Sequence, residues 1–281
     1  MFARKHIATK GLLLLILWCA SALAFAAQVA GTVVNLSGPL LAKKASGVVK
    51  VLALRSEVEE GDTLVSERNT YARIKFIDDS EITIKPGTTF KVESFAFDAG
   101  APAKDSATFS LLKGGLRSIT GLLGRRNKEK FLLRTPVATI GIRGTTFNVE
   151  YVEETEAALA ARNAHLFAST AGIGGAPAGV VPLQLAQLNP PKPTAPNPGG
   201  LKPGLHLFVI DGSIIVSNAG GSQLFSSGQF GFVPRFGQPP IIVPNNPNLQ
   251  FSPPPAFNMS NNPNAGNNNQ PKPDTVDCEV R

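Results

Sequence analysis

Between Gln28 and about Tyr151, apolar and polar residues alternate with a period of two over short runs, and turn-forming residues separate the runs. In Thr70–Ile77 the alternation puts Ala72, Ile74 and Phe76 on one face and Tyr71, Arg73 and Lys75 on the other. Asp78-Asp79-Ser80 then predicts a turn, and Glu81–Lys85 resumes the pattern with Ile82 and Ile84 inward. Pro86-Gly87 turns again, and Thr88–Glu93 buries Phe90 and Val92. This is the signature of half-buried strands, not of helices. Ala107–Ile119 reads as a strand, a Gly114-Gly115 turn and a second strand. A basic loop from Gly121 to Lys130 follows, then strands in Phe131–Thr135 and Val137–Val149.

The pattern changes after Tyr151. Glu153–Phe167 is alanine-rich, acidic at its start, with Arg162 and His165 near its end, which predicts a short helix whose charges complement its dipole. Ser169–Gly204 is rich in Gly, Ala and Pro and has no periodicity, as expected of a linker or surface insertion. Strands return at Leu205–Ile210, Ser213–Ser217, Gln223–Phe225 and Gly228–Val233. From residue 236 to Arg281 the chain is rich in Pro and Asn with few aliphatics, so burial cannot offset its ordering entropy and a disordered tail is expected.

The first 26 residues read as a secretory signal. Arg4, Lys5, His6 and Lys10 precede an apolar run from Gly11 to about Cys19, and Ala24-Phe25-Ala26 offers a small-residue cleavage site. The run is short for a membrane span, which needs roughly 20 apolar residues. The expectation is cleavage near Ala26, a periplasmic or secreted product, and no stable transmembrane anchor; the alternative is an uncleaved anchor. Cleavage would remove three basic residues and no acidic one, lowering the net charge from +7 to +4. So small an excess implies no nucleic-acid partner. The mature chain would keep one thiol, Cys278, and no tryptophan.

Arg134-Thr-Pro-Val-Ala-Thr-Ile-Gly-Ile-Arg-Gly-Thr-Thr-Phe-Asn-Val-Glu-Tyr151 resembles the signature of the FecR domain, in which a glycine-bounded corner joins two strands. Glu60-Gly-Asp-Thr-Leu64, Ala72–Ile84 (with Asp79 where the family pattern has Gly), Leu111–Leu116, Val209–Val216 and Ser226–Gln229 resemble further elements of that family. The resemblance implies an all-β, extracytoplasmic, non-catalytic domain over residues 27–235, an irregular β-solenoid or β-sandwich with residues 153–204 inserted in it. The cytoplasmic helical segment of the sigma-factor regulators is not matched here, so their iron-signalling role does not carry over.

In the corner, Gly141, Arg143, Gly144, Thr145 and Phe147 are read as a structural motif. Arg143 is either a strut tied to a buried Asp or to carbonyls, or an anion clamp. The densest charge run, Lys113, Arg117, Arg125, Arg126, Lys128 and Lys130, is either a solvated loop or a binding surface for anionic lipid or acidic glycan, with Arg117, Arg125, Arg126, Lys128 and Lys130 as the candidates. The pairs Glu59-Glu60 and Asp78-Asp79 are adjacent, and strand neighbours point to opposite faces, which suits turns better than acid–base chemistry. His165 and His206 have no Cys, Asp or Glu at ligand spacing, so neither a metal nor a cofactor is expected. The resulting expectation is a non-catalytic protein that binds another envelope protein through an exposed strand edge or the insertion. The alternatives are a glycan-binding module using Tyr71, Phe95, Phe97 and Phe109, and an envelope hydrolase with a polar triad in a deep pocket.

Overall fold

The computed structural model describes residues 28–154 and 200–257. Seventeen strands are described: β1 (Val29–Leu36), β2 (Leu40–Lys43), β3 (Val49–Leu52), β4 (Glu57–Glu59), β5 (Thr63–Ser66), β6 (Ala72–Phe76), β7 (Glu81–Ile84), β8 (Thr89–Ala96), β9 (Ser106–Ile119), β10 (Phe131–Arg134), β11 (Thr139–Ile142), β12 (Thr146–Val152), β13 (Gly204–Asp211), β14 (Ser213–Asn218), β15 (Gly221–Ser226), β16 (Phe230–Val233) and β17 (Ile241–Val243). A short α-helix, α1 (Leu122–Arg126), lies between β9 and β10, and Pro102–Lys104 and Pro255–Phe257 form single 3-10 turns.

The pairings build two sheets that share one strand. Sheet I runs β4-β1-β6-β7-β9-β12-β13-β16-β17. Sheet II runs β3-β2-β5-β8-β9-β10-β11-β14-β15. The chain alternates between them and advances in one direction along both, which joins the solenoid and sandwich descriptions. Every pairing is antiparallel except β9 with β10, whose parallel register requires a crossover, supplied by residues 120–130 and α1.

Strand β9 belongs to both sheets. Its first half pairs with β8 and β10, and its second half with β7 and β12. The predicted Gly114-Gly115 hairpin turn is therefore instead a corner within one continuous strand. Gly114 has φ +79°, and a Cβ there would lie 2.5 Å from Thr88 Oγ1 and 2.8 Å from Thr88 Cα. Only glycine meets both demands. The Thr88 hydroxyl bonds the Gly115 backbone on both sides, accepting from its N–H at 3.1 Å and donating to its carbonyl at 3.0 Å.

The alternating apolar positions meet between the sheets. Phe76 of sheet I lies 5.2 Å from Phe95 and 5.0 Å from Phe109 of sheet II, ring centre to ring centre. Phe109 also meets Phe90 at 5.4 Å and Phe131 at 5.6 Å. Rings at these separations add to the area they bury. Ile74, Ile82, Ile84, Leu116, Val149, Leu207 and Val209 complete the inner face of sheet I.

Strands β12 and β13 are hydrogen-bonded neighbours, with Val152 opposite Gly204, although residues 153–203 lie between them in sequence. The helix expected from Glu153 lies, from residue 155 on, outside the described residues, as do the signal segment and residues 258–281. The expected tail from 236 needs correction: β17 extends sheet I, and residues 244–257 run back over the outer face of that sheet, burying Leu249 and Phe257. Composition hid this because two phenylalanines in a Pro/Asn-rich segment suffice to anchor it. No described helix is long and apolar enough to cross a membrane.

Candidate functional site

The signature corner carries the chain from β11 in sheet II to β12 in sheet I. Ile140, Ile142, Phe147 and Val149 point inward on either side of it. Gly144 has φ +69° at the turn. Thr145 is buried and ties three segments together. Its N–H donates to Thr120 Oγ1 at 2.9 Å, its carbonyl accepts from that hydroxyl at 2.7 Å, and its own hydroxyl donates to the Ser213 carbonyl at 2.6 Å. Arg143 is exposed and has no hydrogen bond or ion pair to a described residue. Alternation gives the inward position to Ile142, and among the described residues it is Thr145, not Arg143, whose hydrogen bonds fasten the corner.

The acidic element of the motif behaves in the opposite way. Asp78 is fully buried; one oxygen accepts from Ser80 N–H at 3.0 Å and Ser80 Oγ at 2.6 Å, and the other from Leu123 N–H at 3.3 Å. Its backbone carbonyl accepts from Leu122 N–H at 2.7 Å, so one residue anchors both the β6–β7 turn and the start of α1. Asp79, standing where the family pattern has Gly, adopts φ +62°. Asp62 of the Gly-Asp element is likewise buried. It pairs with Lys44 at 2.7 Å, and Glu59 adds a contact to the same ammonium at 3.2 Å. Burial lowers the Lys44 pKa, but the hydrogen bonds to and charges of Asp62 and Glu59 outweigh it, and the net shift is upward.

The basic run does not form one patch. Lys113 pairs with Glu153 at 3.0 Å. The Arg126 guanidinium lies 5.7 Å from the Phe97 ring and donates to the Ala99 carbonyl at 3.4 Å. Lys130 donates to the Ala103 carbonyl at 2.6 Å, and Asn127 to that of Pro102. These side chains fasten the 98–105 loop. Arg125 and Lys128 are exposed. Arg117 alone lies on the outer face of sheet I, where it donates to Asn148 Oδ1 at 2.8 Å.

That outer face is ordered by strand register. One row crosses the sheet as Arg73, Thr83, Arg117, Asn148, Phe208, Phe230 and Val243. A neighbouring row holds Gly115, Glu150, His206, Phe232 and Ile241. The β6–β12 side of the face is thus polar and cationic, and the β13–β16 side aromatic. Phe208 stacks on Phe230 at 4.3 Å and His206 on Phe232 at 4.6 Å. His206 is buried, bonded through Nε2 to the Lys202 carbonyl at 2.8 Å, and burial pushes its pKa down.

Residues 249–257 lie across the cationic half. The Phe251 ring centre lies 4.1 Å from the Arg117 guanidinium carbon, and the ring meets Tyr71 edge-on at 6.2 Å. Phe257 meets Tyr71 at 6.1 Å and Arg73 at 5.7 Å. Lys85 donates to the Gln250 carbonyl at 2.9 Å while paired with Glu150 at 2.5 Å, and Arg73 donates to the Phe257 carbonyl. Arg73, Lys85, Phe251 and Phe257 are not among the residues the sequence singles out for a site, and Tyr71 is named there only for a sugar platform. The outward positions of Tyr71 and Arg73 were legible, and the signal for the rest was two phenylalanines bracketing Pro253-Pro254-Pro255.

At the opposite end of the molecule, β3 pairs with β2 on one side and with no described strand on the other. Val48, Val49, Val51 and Leu54 are all exposed there, Val51 by 74%. Of the aromatics named for a sugar platform, Phe95 and Phe109 are fully buried between the sheets, which corrects that reading; Tyr71 lies under residues 251–257. An open depression of about 560 Å³ is lined by Gly87, Lys113, Gly114, Tyr151, Val152, Glu153 and Glu154, a set with no Ser, Cys or His.

Residues 62–162 match the family described as FecR protein. Two crystal structures of a candidate anti-sigma factor from Parabacteroides distasonis are each similar at 11% identity and a TM-score of 0.39, over 64% of this chain and 58% of that one. The match therefore spans less than two thirds of that protein's length. A cell surface anchoring domain is similar at 21% identity and a TM-score of 0.22, over 22% of this chain and 82% of its own. No curated protein matches the chain.

Proposed function

We propose that this chain, which belongs to the FecR family, is a non-catalytic cell-envelope protein that holds another envelope protein in a signalling or scaffolding role. The segment before Gln28, with its basic start, short apolar run and Ala24-Phe25-Ala26, supports export to the periplasm or beyond. The observation that carries the reading is the edge of β3, which no described strand covers. An edge strand offers unpaired N–H and C=O groups to an incoming strand, and soluble proteins commonly blunt such edges. Here one lysine, Lys50, interrupts four exposed apolar side chains within seven residues. A partner strand added beside β3 would satisfy the backbone groups and cover Val49 and Val51 together.

The test is in-cell photocross-linking with a benzophenone amino acid at position 51 and, as a control, at position 224 on the far edge of sheet II. The expected result is one dominant envelope protein captured from position 51, not from 224, and lost when Val49→Lys is added. Equal capture from both positions, or none from 51, would overturn the edge as the docking site.

A further inference from the structure

We infer that the cationic half of the outer face of sheet I is a groove for a proline-rich segment of a partner protein carrying two phenylalanines six residues apart, and that the chain's own Phe251–Phe257 occupies it in cis. The site is separate from the β3 edge and does not depend on it.

The contacts are of a kind that recognises a ligand. Lys85 and Arg73 donate to the main-chain carbonyls of Gln250 and Phe257, which any peptide presents. The rings supply selectivity: Tyr71 sits between Phe251 and Phe257, and each ring also meets a guanidinium. Pro253, Pro254 and Pro255 have no N–H, so they cannot add to a ladder, and the segment closes in a 3-10 turn at Pro255–Phe257, where Phe257 N–H donates to the Pro254 carbonyl at 2.9 Å. Proline-rich peptides dock in aromatic-lined grooves, and the fixed φ of proline lowers the entropic cost.

The segment is also peripheral to the fold. Leu249 and Phe257 are buried, yet neither belongs to the apolar cluster between the sheets, which closes without them. What lies beneath is poorly satisfied on its own. Arg117 bonds a neutral amide and has no carboxylate partner among the described residues, and the Arg73 guanidinium stands near enough to add its like charge to the effect of burial, both lowering the Arg117 pKa. Beneath the segment Arg73 has Glu81 at 3.8 Å and the Thr83 hydroxyl, to which its Nε donates at 3.4 Å. A pair of cations so placed favours ring faces and carbonyl oxygens above it. A tethered occupant competes at an effective concentration of order millimolar, so a partner must carry the same pattern to displace it.

The test uses the full chain with Phe251→Ala and Phe257→Ala, which empties the groove, and a fluorescein-labelled peptide of residues 246–257 read by anisotropy. The emptied chain should bind the peptide saturably and at least about tenfold more tightly than the unaltered chain, as expected from removing a cis competitor. The same peptide with both phenylalanines replaced by alanine, or the emptied chain with Arg117→Ala added, should lose binding. A folded emptied chain that does not bind the peptide overturns the inference. So does an emptied chain that dimerises by light scattering without binding it, which would assign the groove to a second copy. If the double substitution abolishes the cooperative thermal transition, Phe251→Ser alone, leaving Phe257 in place, carries the binding test. Loss of folding there too would make the segment part of the fold and overturn the proposal.

Discussion

Two turns of the family motif hold charge in opposite ways. At the β6–β7 turn, Asp78 is fully buried and its carboxylate spends both oxygens on Ser80 and Leu123. At the β11–β12 corner, Arg143 is exposed and the neutral Thr145 holds the strands together. A charge in a turn therefore cannot be assigned a role from its place in a motif. What decides is whether backbone groups of other segments point at it. Asp78 is within reach of its own turn and of the start of α1, and Arg143 of no described segment.

The largest effect should come from emptying the buried turn. Asp78→Ala leaves the Ser80 and Leu123 N–H groups without their acceptor inside the protein. At 1–3 kcal/mol for each unsatisfied group, the loss should be about 4 kcal/mol. Urea unfolding would show this as a lower midpoint at unchanged slope. A loss below about 1 kcal/mol would mean that water replaces the carboxylate, and the contrast with Arg143 would collapse.

A smaller but diagnostic effect belongs to the buried pair at Asp62. Lys44→Ala strands the carboxylate of Asp62, which is 1% exposed, and removal of one partner of such a pair costs about 3 kcal/mol. The pair also predicts an alkaline limit. The folded-state pKa of Lys44 is raised, so its contribution is fully present below the unfolded value and fades as pH rises through the folded one. The loss should begin above about pH 10, the ordinary lysine range. Unfolding curves from pH 8 to 11.5 should converge for the unaltered chain and Lys44→Ala at the alkaline end. Parallel curves would show that the ion pair contributes nothing to the difference.

Much of sheet I was legible because alternation is a local signal. Ala72, Ile74, Phe76, Ile82 and Ile84 face inward and Tyr71 and Arg73 outward, as the period of two requires. The Gly114-Gly115 corner was misread as a hairpin turn, since a glycine pair between two alternating runs looks the same whether the chain reverses or passes to a second sheet. Only the partners β7, β8, β10 and β12 distinguish the two. The segment across the outer face was hidden for a different reason. Phe251 and Phe257 find Arg117, Arg73 and Tyr71 far away in sequence, and no local pattern encodes that meeting. Within the basic run, Arg126 and Lys130 reach different carbonyls of the 98–105 loop, a meeting that the run of charges by itself does not encode.

The smallest effect is the one that sharpens the comparison most. Arg143→Ala should change stability by less than about 0.5 kcal/mol, the usual range for an exposed side chain without partners. Thr145→Val is its counterpart at the same corner: it keeps the volume but removes the hydroxyl that donates to the Ser213 carbonyl at 2.6 Å, and should cost about 1–2 kcal/mol. Measured side by side by urea unfolding, the two separate holding the corner from decorating it. If Arg143→Ala costs as much as Thr145→Val, the guanidinium is a strut after all. If it costs nothing, the side chain is free to meet a partner, and loss of the position-51 cross-link in a fully stable Arg143→Ala chain would extend the docking surface from the β3 edge to the signature corner.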